Sequence, residues 1–589
     1  MDLRFLHKRL QLHRIRLGEQ SIMVGLAVIV GIAGGFGAVA FRHLINLFQR
    51  LAYGDHTELL HLVQTLPWYA KFWVPAAGGI IVSTMVYFWA REAKGHGVPE
   101  VMEAVALKGG IIRKRLVLVK SLASAICIGT GGSVGREGPI VQIGSAIGST
   151  IGQLLKVSGD RMRTLVGCGA AAGIAATFNA PIAGAMFSLE IILGDFAVAT
   201  FSPIVISSVV ATAISRHFLG DFPAFIVPAY ELVSAWEFPF YVTLGILCGA
   251  VGVVFTRVLY LIEDGFDRIP IPEILKGLLG GLILGVTALV FPHILGVGYG
   301  TIDMTLAQQI PISILLLLIL VKIMATSVTI GSGGSGGIFA PSLFLGAVTG
   351  GFLGTIIHQQ FPGITASPGA YAIVGMGAVV SATTQGPITA ILMLFEMTGE
   401  YRIILPLMVA CIVSCLTGRR LLKESIYTLK LVRRGVDIRA GKEVNILKAL
   451  SVEEVMNRRV ETIPEGLSLG GLSEKISKSK YNSFPILDTN GRITGILSFI
   501  DYQSALFDED LKDLVVAKDI ASADVVTVTT ADNLFQALEI ITRGDFSILP
   551  VVDPDDPGRL LGVLSRRDII RTYNKAVMQH SLASEADSR

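Results

Sequence analysis

The chain has 589 residues and a mass of 62.8 kDa, with 52% hydrophobic residues, only 16% charged residues and a mean hydropathy of +0.63. Soluble globular proteins carry about 25% charged residues, so this composition excludes a soluble protein and defines a membrane one. Lys+Arg 49 against Asp+Glu 46 leaves +3, too small an imbalance to support nucleic-acid binding.

The first segment, HKRLQLHRIRLGEQ, is basic and amphipathic. Residues 1–20 are therefore read as a cytosolic N-terminal segment. The apolar run from Ile22 to Phe41 is long enough to span a bilayer. It opens a membrane domain over 21–435 whose repeat halves run roughly over 21–220 and 236–420. VKSLASAICIGTGGSVGREGP (Val119 to Pro139) aligns without a gap with VKIMATSVTIGSGGSGGIFAP (Val321 to Pro341), pairing Lys120 with Lys322, Ser133 with Ser335 and Pro139 with Pro341. Further on, GCGAAAGIAATFNAPIAGAMFSLE (Gly167 to Glu190) is matched by GMGAVVSATTQGPITAILMLFE (Gly375 to Glu396), with Pro and Glu at the same spacing in both. Between Lys322 and Glu396 there is no Asp, Glu, Lys or Arg, yet GSGGSGG, Pro341, Pro362 and Pro387 interrupt the stretch. This pattern predicts short helices broken by glycine loops at membrane depth, where such breaks line polar pathways. Arg419, Arg420, Lys423, Lys430, Arg433 and Arg434 form a second basic cluster at the end of the domain. Both termini are accordingly expected in the cytoplasm, which is compatible with two inverted halves and a site near the midplane where they meet.

After Gly435 the composition becomes that of a soluble module, and a second duplication appears. VETIPEGLSLGGLSEKISKSKYNSFPILD matches VVTVTTADNLFQALEIITRGDFSILPVVD, and GRITGILSFID matches GRLLGVLSRRD. The pattern predicts a β-α-β-β-α unit at 448–512 and again at 516–579, followed by a tail at 580–589. The five cysteines, Cys127, Cys168, Cys248, Cys411 and Cys415, all lie in apolar stretches without metal-ligand spacing. No disulfide framework, metal site or nucleophile/base constellation is indicated, so enzyme activity is not expected.

Glu137 is an acidic side chain inside a glycine turn, GGSVGREGP, and its repeat counterpart in GGIFAP is Phe339. An ionisable group at membrane depth is costly and usually functional; the other reading is a helix cap in the headgroup zone. Neither a Walker A loop nor a dinucleotide GxGxxG in βαβ context fits these glycines. Glycine loops leading into helices aim N–H groups and positive dipole ends at one spot, which favours an anion.

Four segments, GHGVP (Gly95 to Pro99), GREGP (Gly135 to Pro139), GIFAP (Gly337 to Pro341) and Tyr427 in SIYTLKL, resemble in this order the signature segments of the CLC chloride channels and chloride/proton exchangers. The C-terminal pair is similar to the CBS modules of that family. The resemblance implies an all-α polytopic membrane domain of two inverted repeats with broken helices, plus an α+β tandem CBS module. It also implies a homodimer in lipid, in the plasma (cell inner) membrane, with one pathway for chloride or other small anions per subunit. Glu137 is then the gate, occupying an anion site when ionised and vacating it when protonated. The implied chloride-binding residues are His96, Gly97, Gly135, Arg136, Glu137, Gly138, the N–H groups of Ile338 and Phe339, and the hydroxyl of Tyr427, for which a place in an interfacial aromatic belt is the alternative.

Two departures from the family pattern stand out. His96 replaces a serine, as an imidazole donor that charges near neutral pH or as a neutral packed side chain. Ile191 stands where exchangers carry the second of two adjacent glutamates. This leans the reading towards passive, channel-like conduction regulated by the CBS pair, with a chloride/proton antiporter as the alternative. Glu190 and Glu396, kept on both sides of the duplication, read as helix-end partners, and Lys120 and Lys322 as structural. A CBS-bearing divalent-cation channel is a rival from another class; it calls for acidic residues lining the membrane helices. Ser498/Asp501 and Ser565/Asp568 fit the Ser-x-x-Asp turn that in CBS modules can hold a ribose hydroxyl. They imply an adenine nucleotide, ATP first, with dimer packing alone as the alternative.

Overall fold

The computed structural model describes residues 19–55, 59–157, 159–221, 224, 225, 227, 232–436, 447, 450–505 and 514–575. Most of the expected N-terminal segment and all of the 580–589 tail lie outside the described residues. The chain divides into two compact units, 1–436 and 437–589.

The first unit is helical and duplicated. Its first half holds α1 (Glu19–Tyr53), α2 (Leu59–Thr65), α3 (Trp68–Trp89), α4 (Val98–Leu107), α5 (Leu116–Gly129), α6 (Glu137–Leu154), α7 (Gly159–Phe178), α8 (Pro181–Phe187) and α9 (Val198–Leu219). The second half holds α10 (Phe238–Arg268), α11 (Glu273–Val290), α12 (Tyr299–Leu306), α13 (Ile312–Gly331), α14 (Phe339–Gln360), α15 (Pro368–Thr384), α16 (Pro387–Thr398) and α17 (Ile404–Leu421), followed by the short α18 (Thr428–Arg433). Among the described residues, eight helices (α1, α3, α9, α10, α11, α13, α14 and α17) are long and apolar enough to cross a membrane. A crossing needs about 20 residues. With 10 residues in α4 and 8 in α12, these two helices fall well short, and their C-terminal ends lead to the exposed Lys108 and Ala307.

Close packing depends on small residues. A Cβ on Gly144 of α6 would run into the Gly169 carbonyl of α7, and one on Gly346 of α14 would meet the Gly375 carbonyl of α15. Small residues let membrane helices approach backbone to backbone, where dispersion replaces the absent hydrophobic drive. The two halves repeat this device at equivalent places.

Buried polar groups then fasten the broken segments. Lys120 Nζ donates to the carbonyls of Ala93 (3.0 Å) and Gly95 (2.8 Å) ahead of α4. Lys322 Nζ does the same for Ile294 (3.1 Å) and Gly296 (3.4 Å) ahead of α12, and lies 4.8 Å over the Phe344 ring. Glu190 lies in a π-helical turn, Ser188–Leu193, that continues α8. Its carboxylate accepts the N–H groups of Ile388 (3.2 Å) and Thr389 (2.7 Å) and the Thr389 hydroxyl (2.6 Å) at the start of α16. Glu396, in α16, accepts those of Ile182 (3.0 Å) and Ala183 (2.7 Å) at the start of α8. Each half thus caps a helix N-terminus of the other, meeting N–H groups that a helix cannot satisfy itself. Near the connector between the halves, the buried Glu237 accepts from the N–H of Val233 (3.0 Å), the N–H of Ala366 and the Tyr371 hydroxyl (3.4 Å).

The second unit contains two three-stranded sheets. In the first, β1 (Ile463–Pro464) pairs parallel with β2 (Ser483–Leu487), and β2 pairs antiparallel with β3 (Ile493–Ser498). In the second, β4 (Val528–Thr529), β5 (Ile548–Val552) and β6 (Leu560–Ser565) repeat that order. Helices Leu469–Lys478 and Leu534–Gly544 cross over between the parallel strands, each begun by a side-chain cap, Ser468 and Asn533. The lobes are interlocked. Ala517 packs in the core of the first with Leu472 and Phe484, while Val452 and Met456 close the core of the second with Leu534 and Leu549.

Candidate functional site

Three glycine loops converge where the halves of the membrane unit meet. Gly135 and Gly337 exchange N–H···O bonds of 2.7 and 2.6 Å, joining GREGP to GIFAP. Gly95 donates to the Gly334 carbonyl (3.0 Å) and accepts from Gly336 (3.3 Å), which adds GHGVP to the same cluster. Ser335 ties the loops further through its hydroxyl, 2.8 Å from the Ala93 carbonyl and 2.9 Å from Ser124 Oγ. A Cβ on Gly138 would collide with the His96 carbonyl, so only glycine lets these backbones approach. Gly97 caps α4 in the left-handed region (φ 82°), as Gly298 caps α12 (φ 87°).

Glu137, 1% exposed, begins α6 and turns its carboxylate towards the other half. Oε2 accepts the Ala340 N–H in the first turn of α14 (3.4 Å), and Oε1 accepts the Tyr299 hydroxyl of α12 (3.2 Å). Ile338 and Phe339 start α14, where the first N–H groups have no intrahelical partner. The carboxylate therefore sits at a helix N-terminus, where a bound anion is favoured by the same donors. The Arg136 guanidinium lies over the rings of Phe178 (5.9 Å) and Tyr299 (5.3 Å).

His96 is fully buried. Its ring is 5.7 Å from that of Tyr427, which is 2% exposed. Nε2 lies 3.4 Å from the Tyr260 hydroxyl, and that hydroxyl donates to the Ile426 carbonyl at 2.5 Å. With its proton committed, the Tyr260 oxygen is left to accept from Nε2–H, so in the neutral ring Nδ1 is assigned the bare lone pair. Nδ1 is buried with no partner among the described residues. Next to Tyr260 opens a cavity of about 280 Å³ in which Arg91, Lys94, Lys430, Arg433 and Arg434 outnumber Glu263, Asp264 and Asp267. Lys430 and Arg434 both contact Glu100, at 3.5 and 3.3 Å.

The structure thus brings together His96, Gly97, Gly135, Arg136, Glu137, Gly138, Ile338, Phe339 and Tyr427, three loops and a tyrosine that lie far apart in sequence. Tyr299, Tyr260 and the Lys430–Glu100 pair were not singled out from sequence. For Tyr299 a signal exists: GVGYG (Gly296 to Gly300) repeats GHGVP, glycine for glycine, ahead of the second short helix. In the second unit, Asp501 Oδ2 accepts the N–H (3.0 Å) and hydroxyl (2.7 Å) of Ser498, and Asp568 Oδ2 those of Ser565 (3.2 and 2.5 Å). Both pairs form the turn from the last strand of a sheet into the helix that follows.

A duplicated bundle of broken helices whose loops surround one buried carboxylate defines the class: a polytopic membrane transport protein. The voltage gated chloride channel family model matches residues 78–419, CBS domains match 452–508 and 517–575, and the chain belongs to this family. It is 38% identical over 419 residues to a putative chloride channel protein ClcB-like of Ralstonia nicotianae, covering 70% of this chain and 98% of that one. It is 31% identical over 580 residues to chloride channel protein CLC-f of Arabidopsis thaliana, covering 93% and 69%. Among solved structures, a slow cyanobacterial Cl−/H+ antiporter superposes with a TM-score of 0.64 at 29% identity, covering 70% of this chain and 97% of that one. The CLC fold and family-level chloride transport follow. Relatives carry both channel and exchanger names.

Proposed function

We propose that this protein is a homodimeric chloride conductor in the plasma membrane, with both ends of the membrane domain cytoplasmic and Glu137 as its gate. Anions enter at the basic cavity beside Tyr260, pass His96 and Tyr427, and compete with the Glu137 carboxylate for the N–H groups that open α14. The observation that carries this reading is the seat of the carboxylate, on the Ala340 N–H at that helix N-terminus. A carboxylate and a halide want the same donors and repel each other. Protonation removes the competing charge and frees the seat.

Passive conduction is the preferred mode. Ile191 cannot hold a proton, and Glu190 beside it is committed to the α16 N-terminus. Crossing the apolar bundle without a relay costs a proton several kcal/mol. Simultaneous chloride and proton fluxes from liposomes test this: chloride should run down its gradient with little or no uphill proton movement. Proton uptake driven uphill at a fixed ratio would establish the antiporter instead.

The CBS pair is proposed to bind an adenine nucleotide, ATP first, and to couple it to transport. Support comes from the matching Ser–Asp turns, each of which fixes a carboxylate orientation. Millimolar ATP should raise the melting temperature of the full-length protein in detergent by mass action, and Asp568→Ala should abolish the shift. No shift with ATP, ADP or AMP leaves the pair a packing module.

A further inference from the structure

We propose that Tyr299 is a positioning residue for Glu137: its hydroxyl holds the carboxylate on the α14 N-terminus and thereby sets the pH at which the pathway opens. The inference rests on Glu137 being the gate and adds a second member to it, contributed by the opposite half of the duplication. The two carboxylate oxygens are engaged from two different elements, Oε1 by Tyr299 Oη of α12 at 3.2 Å and Oε2 by the Ala340 N–H of α14 at 3.4 Å. The phenol is itself held on two sides. Phe225 meets its ring edge-on at 5.2 Å and the Arg136 guanidinium covers it at 5.3 Å. The Phe225 N–H is tied to the Met397 carbonyl at the end of α16. Gly298, in the left-handed region, turns the chain so that Tyr299 is the first residue of α12.

The charged and titratable groups around Glu137 are few. Arg136 adjoins it, Lys322 interacts from α13 and Tyr427 from the start of α18, while Arg42 of α1 stands beside Arg136 and Tyr299. Lys322 is spent on the carbonyls of Ile294 and Gly296, and His96 turns its backbone carbonyl to Gly138. Among the described side chains Tyr299 alone donates a hydrogen bond to the carboxylate. A phenol donor stabilises an ionised carboxylate more than a protonated one. Removing it favours the protonated, vacated gate, so opening should begin at higher pH.

Chloride efflux from liposomes, measured across pH, tests the assignment. Tyr299→Phe keeps the ring and its packing, and the pH of half-maximal flux should move up by about one unit, the size expected when a charged hydrogen bond is lost. The same substitution in a Glu137→Gln background should leave the profile unchanged. If Glu137→Gln flattens the response but Tyr299→Phe retains the wild-type midpoint, the positioning role is overturned and the gate stands. If Glu137→Gln itself keeps the wild-type response, the gate reading fails first and the role of Tyr299 with it. Should Tyr299→Phe not reconstitute, Tyr299→Leu also lacks the hydroxyl and is read in the same way.

Discussion

The two halves of the membrane unit agree in their fastenings and differ in their chemistry. Lys120 and Lys322 clamp equivalent carbonyls, and Glu190 and Glu396 cap each other's helices in a reciprocal pair. Equivalent glycines, Gly97 and Gly298, turn the chain into equivalent short helices. Where the loops meet, the equivalence stops. Glu137 faces Phe339 across the duplication, His96 answers to Val297, and Tyr299 to Val98. Each half supplies one partner of the contact between Glu137 and Tyr299. The comparison teaches that duplication built a frame able to present N–H groups from both sides, and that divergence at three positions gave the frame a direction.

The largest effect expected is on the frame. Lys322→Met leaves the carbonyls of Ile294 and Gly296 without their buried donor, and each unmet acceptor costs about 1–3 kcal/mol. The melting temperature in detergent should fall sharply, and Lys120→Met should lower it by less, because the Ser335 hydroxyl and the Gly336 N–H still serve the carbonyls of Ala93 and Gly95. A wild-type melting curve for Lys322→Met would break the claimed fastening.

A smaller effect is expected at the diverged loops. In the neutral ring His96 presents a bare Nδ1, and protonation turns that atom into an N–H donor and adds a positive charge. Burial and the nearby Lys430, Lys120 and Arg434 disfavour that charged form, so chloride should bind more tightly only as pH falls well below the ordinary imidazole range. His96→Ser should remove that acid-side dependence, whereas Val297→Ser at the equivalent place in the other half should leave it intact. Identical titrations for wild type and His96→Ser would return His96 to a packing role.

Much of this was legible in the sequence because duplication writes its own alignment. The paired lysines, the Pro-to-Glu spacing and the glycine loops announce a repeated broken-helix bundle, and the two soluble repeats share a strand and helix pattern. The pairing of Glu190 with the start of α16, rather than with its own helix, was not legible, since the two are nearly 200 residues apart and only packing brings them together. The crossed cores of the second unit hid for the same reason: Val452 opens the first repeat yet packs in the core of the second. Tyr260 lies in mid-helix among apolar neighbours and reads as core until its hydroxyl is found between His96 and the Ile426 carbonyl. Tyr299 was half visible, since its loop repeats GHGVP but lacks the proline that marks the first copy.

The central claim is that one carboxylate, placed on one side of a duplicated frame, controls the anion pathway. Its most direct measurement is the pH dependence of chloride efflux from liposomes carrying wild type or Glu137→Gln. The glutamine imitates the protonated, vacated state, so chloride flux should persist and lose most of its pH dependence. A Glu137→Gln protein that conducts with the wild-type pH response would contradict the account.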